Sequence, residues 1–321
     1  MEAAKARLEF QKNKKIYDSA LLRFEGVHGW DVYNCSVPFV WQGKEYIFGR
    51  VERREDFANS TAWLFEKTGP DAYAPVAGSM IYPLEDPFLA VVDGEWILGG
   101  THVRKSKGKI DHFCGYFYRG SDPRWMTHFT CGPADMKDIR LVQLQDGRIG
   151  VFSRPRSATV EKQYGSGAVI GFTTISSVDE LDAQVINHAP VIKNLFGPGE
   201  WGGCNQCYLL RDGRIGVIGH RSYNQTGEDG GKLMVYMNIS FIFDPATHSA
   251  SDIRIIGDKP SYPPTEAMRP DLRDCAFTSG IVMRPDGRAE LYSGLGDVTE
   301  GRVTIDAPFG SLLGEEGNLK L

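Results

Sequence analysis

An eight-residue motif that occurs twice constrains the fold of this chain more than any other feature of its sequence. Residues 144–151 read LQDGRIGV, and residues 210–217 read LRDGRIGV. In both copies an Asp-Gly pair separates two apolar, β-prone runs, which is the pattern of a tight β-hairpin. The two copies therefore predict that the chain repeats a hairpin-based unit.

Three weaker copies of the pattern also place a glycine between β-prone runs. The five hairpin glycines are Gly43, Gly94, Gly147, Gly213 and Gly287. Five copies in 321 residues give about 64 residues per unit, enough for a four-stranded blade and one long loop. Helical periodicity is rare, and its best example is the short region 177–181. We predict an all-β chain folded as a five-bladed β-propeller; a β-sandwich with repeated hairpins is the alternative.

Length and composition fit one large β domain or two domains of ordinary size. With 321 residues and 41% hydrophobic content, the chain can bury a large core. We treat residues 1–321 as a single propeller domain, with a charged N-terminal segment at 1–15 and a polar C-terminal tail at 311–321.

Charge and cysteine usage exclude several classes of protein. The net charge of −5 gives no basic field for nucleic acid or an anionic membrane. No apolar run approaches the roughly 18 residues of a membrane span. The first 15 residues lack the apolar region of a signal peptide, and the six cysteines show no disulfide spacing. We expect a cytoplasmic protein. Nothing completes a metal site around Cys204 and Cys207, so we expect no metal or cofactor.

The tripeptide Glu85-Asp86-Pro87 is the strongest candidate for chemistry. It places two carboxylates directly before an apolar strand. Pro87 should hold Asp86 in the extended region, and such a stiff backbone suits a proton donor. The alternative is a solvated acidic pair that closes a loop.

Polar residues precede the hairpin glycine in every unit. In a propeller these positions meet at one mouth of the central channel, so they favour a functional site there. They are Asp31 and Asn34, then Asp86, then Asp138 and Arg140, then Asn205 and Gln206, and finally Asp271, Arg273 and Asp274. The return strands add a second set, which comprises Arg50, Glu52, His102, Arg154, Arg156, His220, Arg221, Tyr223 and Asp297.

Several of these residues carry a resemblance to a known family. The markers are Glu85-Asp86-Pro87, Asn34-x-Ser36 followed by Arg50, and the closing segments 275–280 and 291–297. Between about Val27 and Asp306 the chain resembles the β-mannoside phosphorylases of glycoside hydrolase family 130. It resembles still more the mannosyltransferase/phosphorylases of β-1,2-mannan metabolism, glycosyltransferase family 108. Phe88 stands where family 130 usually has arginine.

The resemblance implies an inverting reaction in which Asp86 protonates the leaving oxygen through a substrate hydroxyl. Phosphate would be the nucleophile, so no enzymic base is required. The implied phosphate ligands are Arg154, Arg156 and His220, with Arg140, Arg221 and Tyr223 as further candidates. The implied sugar ligands are Asp31, Asn34, Ser36, Arg50, Glu85, Asn205, Asp274 and Asp297, with Trp30, Tyr33 or Trp201 against an apolar sugar face.

The expected function is an inverting β-1,2-mannoside phosphorylase or mannosyltransferase. Its partners would be a manno-oligosaccharide with phosphate or mannose 1-phosphate, and a sugar nucleotide stays open as a second donor. One alternative is a glycoside hydrolase in which a carboxylate such as Asp31 or Asp274 activates water. The other is a propeller that binds sugar or protein without catalysis.

Overall fold

The computed structural model describes residues 3–56, 58–106, 109–227 and 230–321, and its regular structure is mostly β. The described strands form four hydrogen-bonded sheets, and the parallel pairing of Thr299 with Val32 joins the last and first parts of the chain in a ten-stranded sheet. When that sheet is divided at this pairing, five units of mainly antiparallel strands follow one another along the chain, and we number them 1 to 5. The prediction of a mostly β chain is confirmed.

Units 1 and 2 span the first part of the chain. Unit 1 comprises β3 (Asp31–Tyr33), β4 (Phe39–Trp41), β5 (Lys44–Glu52), β6 (Thr61–Gly69) and β7 (Ala72–Pro75), and the short β2 (Arg23–Phe24) pairs with β7 in parallel. Unit 2 comprises β8 (Glu85–Val92), β9 (Glu95–Ser106), β10 (Lys109–Gly120) and β11 (Thr127–Ala134).

Units 3 to 5 complete the chain. Unit 3 comprises β12 (Arg140–Gln143), β13 (Ile149–Ser153) and β14 (Gly171–Ile175). Unit 4 comprises β15 (Glu200–Leu209), β16 (Ile215–Thr226), β17 (Lys232–Asp244) and β18 (Ser249–Asp258). Unit 5 comprises β19 (Ala276–Met283), β20 (Arg288–Leu295), β21 (Thr299–Asp306) and the N-terminal β1 (Asp18–Leu21), which pairs with β21. The first strand of the chain therefore completes the last unit.

The predicted hairpin glycines all lie in turns. Gly43, Gly94, Gly147, Gly213 and Gly287 have φ between 75° and 85°. In unit 2 the turn consists of Asp93 and Gly94, both with positive φ, as a two-residue turn between twisted strands requires. The hairpin prediction from the repeated motif is confirmed.

Hydrophobic clusters join each unit to the next. Each cluster contains buried residues of two successive units, and unit 5 shares a cluster with unit 1. Members of these clusters, in order from the contact of units 1 and 2, are Phe48 and Trp96, Phe88 and Val151, Phe152 and Phe241, Ile218 and Leu291, and Tyr292 and Val51. The core is thus a series of clusters between consecutive units.

Helices are short and lie outside the sheets. They are α1 (Ala3–Asn13), α2 (Ala158–Tyr164) and α3 (Ala183–Asn187) within the described residues. The charged N-terminal segment is therefore largely helical, and buried Arg7 fixes α1 by hydrogen bonds to Asp258 and Asp274. The expected helical region 177–181 forms only a 3₁₀ turn, Val178–Glu180, ahead of α3. In the described part of the chain, no helix is both long and apolar enough to cross a membrane.

Candidate active site

A polar cleft lies where the first residues of the inner strands meet the ends of the return strands. It brings together many of the residues expected from the sequence, although these come from all five units. Its lining residues are Asn34, Arg50, Glu85, Asp86, Lys137, Asp138, Arg154, His220, Tyr236, Leu272, Cys275, Phe277 and Asp297.

Left-handed backbone directs several of these side chains into the cleft. Asn34, Asp86, Asp138 and Asp297 have φ of 46°, 48°, 59° and 57°, and Asn and Asp are the non-glycine residues that tolerate this region best. The expectation of an extended Asp86 is wrong. The register of β8 against β9 shifts between Glu85 and Phe88, and this bulge turns the carboxylate away from the ladder.

Buried Arg50 holds the carboxylates on one side of the cleft. Its Nη1 donates to Asp86 Oδ1 at 2.9 Å, and its Nη2 donates to Glu52 at 2.8 Å and to Glu85 at 3.2 Å. Its Nε donates to Ser60 at 3.0 Å. The guanidinium is therefore largely occupied by protein groups, which makes Arg50 an organiser of the acidic side of the cleft.

Asp86 is poised as an ionised carboxylate in the free protein. Burial favours its neutral form, but Arg50, Lys137 and a hydrogen bond from Asn34 outweigh burial, so the pKa of Asp86 lies below its ordinary value. Asn34 Nδ2 and Arg50 both donate to Oδ1. Within the described residues nothing donates to Oδ2, which is thus available to a substrate.

Two further carboxylates of the cleft lining, Glu85 and Asp297, behave differently. Burial raises the pKa of Glu85 and of Asp297, and in each case it outweighs the attraction of Arg50. Asp297 has no hydrogen-bond partner in the described part of the chain. A carboxyl group of this kind can bind sugar hydroxyls as donor or acceptor.

Cations face these acids across the cleft. Arg154 is 5% exposed; its Nε donates to the carbonyl of Gly202 at 2.7 Å, and its Nη1 lies 3.2 Å from Asp138 Oδ2. Half-buried Lys137 has no ion-pair or hydrogen-bond partner among the described residues. Asp138 lies between these cations, and although burial opposes ionisation, Arg154 and Lys137 lower its pKa to about 2.

His220 is buried and neutral at this edge of the cleft. Burial and the neighbouring Arg154 lower its pKa to about 3. Its Nδ1 lies 2.8 Å from Asn205 Oδ1, whereas its Nε2 has no partner within the described residues. The ring packs against Phe277 with centroids 4.9 Å apart, and Tyr236 lies 5.8 Å away. Tyr236 and Phe277 thus give the cleft an aromatic wall.

Other residues expected at the site lie outside the cleft lining. Asp31 is bound by Arg54 on the surface through two hydrogen bonds of 2.9 Å, and Asp274 is bound by Arg7. Tyr223 packs against the hydrophobic cluster that contains Ala3 of α1. Each of these side chains is engaged by a neighbour that sequence reasoning had not paired with it.

A further group of expected residues supports the cleft from behind. Ser36 bonds to the backbone of Val37 and Phe48, Arg221 pairs with Glu200, and Asn205 contacts His220. Arg140 donates to the carbonyls of Asn205 and Ile139 and lies over the Phe88 ring. Arg156 is exposed and lies over Phe113 at 5.8 Å. Trp30 stacks with Arg53, Tyr33 with Arg50, and Trp201 donates to Tyr236.

Sequence reasoning missed Lys137, Tyr236 and Phe277 and gave Asp138 no role. Lys137 and Asp138 precede the inner strand of unit 3, so the positional rule that selected Asp86 could have selected both. Tyr236 lies on the third strand of unit 4, where no rule about inner or return strands applies. No group of three or more His, Cys, Asp or Glu residues is placed to hold a metal ion in the part of the chain that the structure describes.

Comparison with known proteins assigns the chain to a family. Residues 8–311 match the family described as protein of unknown function (DUF1861). MPT-4, a mannose phosphorylase from Leishmania mexicana whose structure contains a phosphate ion, is 51% identical, with a TM-score of 0.92 over 99% of this chain and 96% of MPT-4. MPT-1, a GDP-Man-dependent mannosyltransferase from the same organism, is 44% identical, with a TM-score of 0.91 over the whole of both chains.

More distant structures share the fold. The β-1,2-mannobiose phosphorylase of Listeria innocua is 12% identical, with a TM-score of 0.58 over 87% of this chain and 91% of that protein. The search of curated proteins gave no match. By its family match and its identity to MPT-4 and MPT-1, the chain belongs to the DUF1861 family and to the mannosyltransferases and mannose phosphorylases that these two proteins represent.

Proposed function

We propose that this protein is an inverting mannoside phosphorylase that transfers a mannosyl unit between a β-1,2-mannoside and phosphate. One observation carries the proposal: a single cleft holds the Asp86 carboxylate together with Arg154 and Lys137, two cations suited to an anionic nucleophile. The 51% identity to a mannose phosphorylase crystallised with phosphate supports the same reaction.

In phosphorolysis a phosphate oxygen attacks the anomeric carbon while the glycosidic C–O bond breaks. The leaving oxygen takes a proton from Asp86, directly or through a sugar hydroxyl, and inversion gives α-mannose 1-phosphate. The low pKa of Asp86 in the free protein suits the reverse direction, in which its carboxylate is the base that deprotonates the acceptor. An anion bound near Lys137 offsets the positive field and raises the pKa of Asp86 for the forward direction.

The cleft divides into an anion side and a sugar side. Arg154 and Lys137 provide charge-assisted donors for phosphate, and Arg156 lies near Arg154 as an outer cation. Asn34, Glu85 and Asp297 are placed for sugar hydroxyls, while Tyr236 and Phe277 offer an apolar face for the ring.

The hydrolytic alternative has less support. Asp31 and Asp274, its candidate bases, are held by Arg54 and Arg7 outside the cleft lining. A cation pair would also serve little purpose for attack by neutral water. GDP-mannose is a second candidate donor, favoured by the 44% identity to a GDP-Man-dependent enzyme.

We further infer that units 1 to 5 are the blades of one five-bladed propeller over residues 1–321. The clusters that join each unit to the next, and unit 5 to unit 1, support a ring, and the β1–β21 pairing would close it. A cytoplasmic location stays part of this proposal.

The test is incubation with β-1,2-mannobiose and inorganic phosphate, followed by ³¹P NMR. We expect α-mannose 1-phosphate, and we expect cleavage nearly to vanish when phosphate is omitted. Equal cleavage in phosphate-free buffer would establish a hydrolase. Chain extension from GDP-mannose but not from mannose 1-phosphate would establish a nucleotide-dependent transferase, and no reaction with any donor would favour a binding protein.

A further inference from the structure

Two buried hydrogen-bond acceptors line the anion side of the cleft without a donor. Asp138 is 4% exposed and His220 is 1% exposed. Neither carboxylate oxygen of Asp138 receives a hydrogen bond from a described residue. The same is true of His220 Nε2. An acceptor left without a donor in a buried position is costly, so each of these atoms favours a ligand that brings a proton.

The contacts of Asp138 with cations do not satisfy it. Oδ2 lies 3.2 Å from Arg154 Nη1 and Oδ1 lies 4.0 Å from Arg140 Nη2, but neither pair has hydrogen-bond geometry. Arg154 directs its Nε to the Gly202 carbonyl and Arg140 directs its Nε to the Asn205 carbonyl. Asp138 is therefore an ionised acceptor placed among the cations that would hold phosphate.

We propose that Asp138 selects the anion in this cleft by accepting a hydrogen bond from a protonated oxyanion, so that monohydrogen phosphate binds and sulfate is rejected. The inference rests on the proposed function. It names the property by which the cleft distinguishes two ions of the same shape. Near pH 8 both ions are tetrahedral dianions, but only phosphate carries an O–H. Sulfate would set a bare oxygen against the carboxylate and leave it without a donor.

His220 provides a second acceptor of the same kind. When Nδ1–H donates to Asn205 Oδ1, the neutral ring must expose the lone pair of Nε2 to the cleft. The single O–H of monohydrogen phosphate donates a hydrogen bond to Asp138. His220 Nε2 then accepts a hydrogen bond from a sugar hydroxyl. The reaction leaves that proton in place: an unprotonated phosphate oxygen bonds to the anomeric carbon, and the leaving oxygen takes its proton from Asp86.

The experiment measures the binding of inorganic phosphate and of sulfate to the free protein at pH 8 by calorimetry at constant ionic strength. We expect phosphate to bind at least about 10²-fold more tightly than sulfate. Asp138→Asn replaces an acceptor with a group that also donates and still tolerates a left-handed backbone. It should reduce the ratio of the two affinities by about 10-fold or more, whereas Lys137→Gln should weaken both anions and leave the ratio unchanged.

The matched control is Asp252→Asn, at an exposed residue with the same φ of 59°. It should alter neither affinity. Equal binding of sulfate and phosphate by the wild-type protein would overturn the inference even if Asp138→Asn did not fold. If the ratio of the phosphate and sulfate affinities were unchanged in a folded Asp138→Asn protein, Asp138 would serve only as a counter-ion of Arg154. Phosphorolysis that proceeds in either case would leave the proposed function standing.

Discussion

The hairpin turns and the cleft use the same residue types in opposite ways. In the turns, Arg148 and Arg214 pair with Asp146 and Asp212, each two residues away, on the protein surface. In the cleft, Arg50 is 4% exposed and binds Glu85 and Asp86, which lie 35 and 36 residues away. Exposed local ion pairs contribute little to folding stability because water screens them. Buried ion pairs shift pKa values, and removal of one partner strongly destabilises the fold.

Charged residues therefore do not identify the functional site of this chain by their charge alone. The turn pairs complete a local hydrogen-bonding pattern that any β-hairpin can use. The cleft pairs are buried between segments that are distant in the sequence. The pKa of Asp86 is therefore lowered, whereas the pKa values of Glu85 and Asp297 are raised. Four substitutions test this distinction, and they follow in order of decreasing expected effect.

The largest effect should come from Asp86→Asn. Loss of the group that donates and accepts the proton should lower kcat by about 10²–10⁴-fold without unfolding the protein. The measurement is initial phosphorolysis rate, with circular dichroism as a check on the fold. Asp93→Asn is the control, since Asp93 is an exposed turn residue of the same unit with a similar φ of 51°. A wild-type rate in Asp86→Asn would remove Asp86 from the mechanism.

Arg50→Met should give the largest loss of stability. It leaves Glu52, Glu85 and Asp86 without their shared cation, and an uncompensated buried charge typically costs about 3–5 kcal/mol. The free energy of unfolding from urea titration measures this loss. Arg148→Met removes a turn arginine and should leave stability unchanged within error. Similar losses in the two variants would contradict the distinction between cleft and turn.

Arg154→Ala should raise the apparent KM for phosphate by about 10- to 100-fold, since charge-assisted hydrogen bonds to the anion are lost. The KM for the sugar should change much less. Arg156→Ala should have a smaller effect in the same direction, because Arg156 is exposed and outside the cleft lining. If the two KM values rose equally in Arg154→Ala, the residue would act through the structure and not through phosphate.

The smallest effect should come from Asn34→Gly, which removes one donor to Asp86 and keeps a left-handed backbone. In the synthetic direction Asp86 must be ionised, so kcat/KM falls as pH drops through the pKa of Asp86 in the free enzyme. Loss of the hydrogen bond raises this low pKa. The acid limb of the profile should therefore move to higher pH, by up to about one pH unit.

Asn194→Gly is the control for that profile, since Asn194 is exposed and has a φ of 64°. Its pH profile should match that of the wild-type protein. An acid limb that stays in place in Asn34→Gly would show that this hydrogen bond does not tune Asp86.

The hairpins and the mostly β class followed from the amino-acid sequence, whereas the position of the functional site stays a prediction. These features depend on local rules: Asp-Gly turns need positive φ, and apolar runs mark strands. Asn34 and Asp86 were selected as residues before a hairpin, and Arg154, His220 and Asp297 as residues of the return strands; all five line one cleft. The family resemblance, confirmed by the identity to MPT-4 and MPT-1, rested on the segments that contain Asn34, Arg50, Asp86 and Asp297.

The contacts of those residues depend on the tertiary structure. Asp274 follows the same positional rule as Asp86, but the N-terminal helix brings Arg7 onto it, whereas Arg50 and Asn34 hold Asp86 at the cleft. The left-handed backbone of Asp86 overrides the extended preference of a residue before proline, because a bulge and two buried hydrogen bonds fix it. Desolvation, burial and partner choice depend on which distant segments meet, and no local pattern in the chain encodes that meeting.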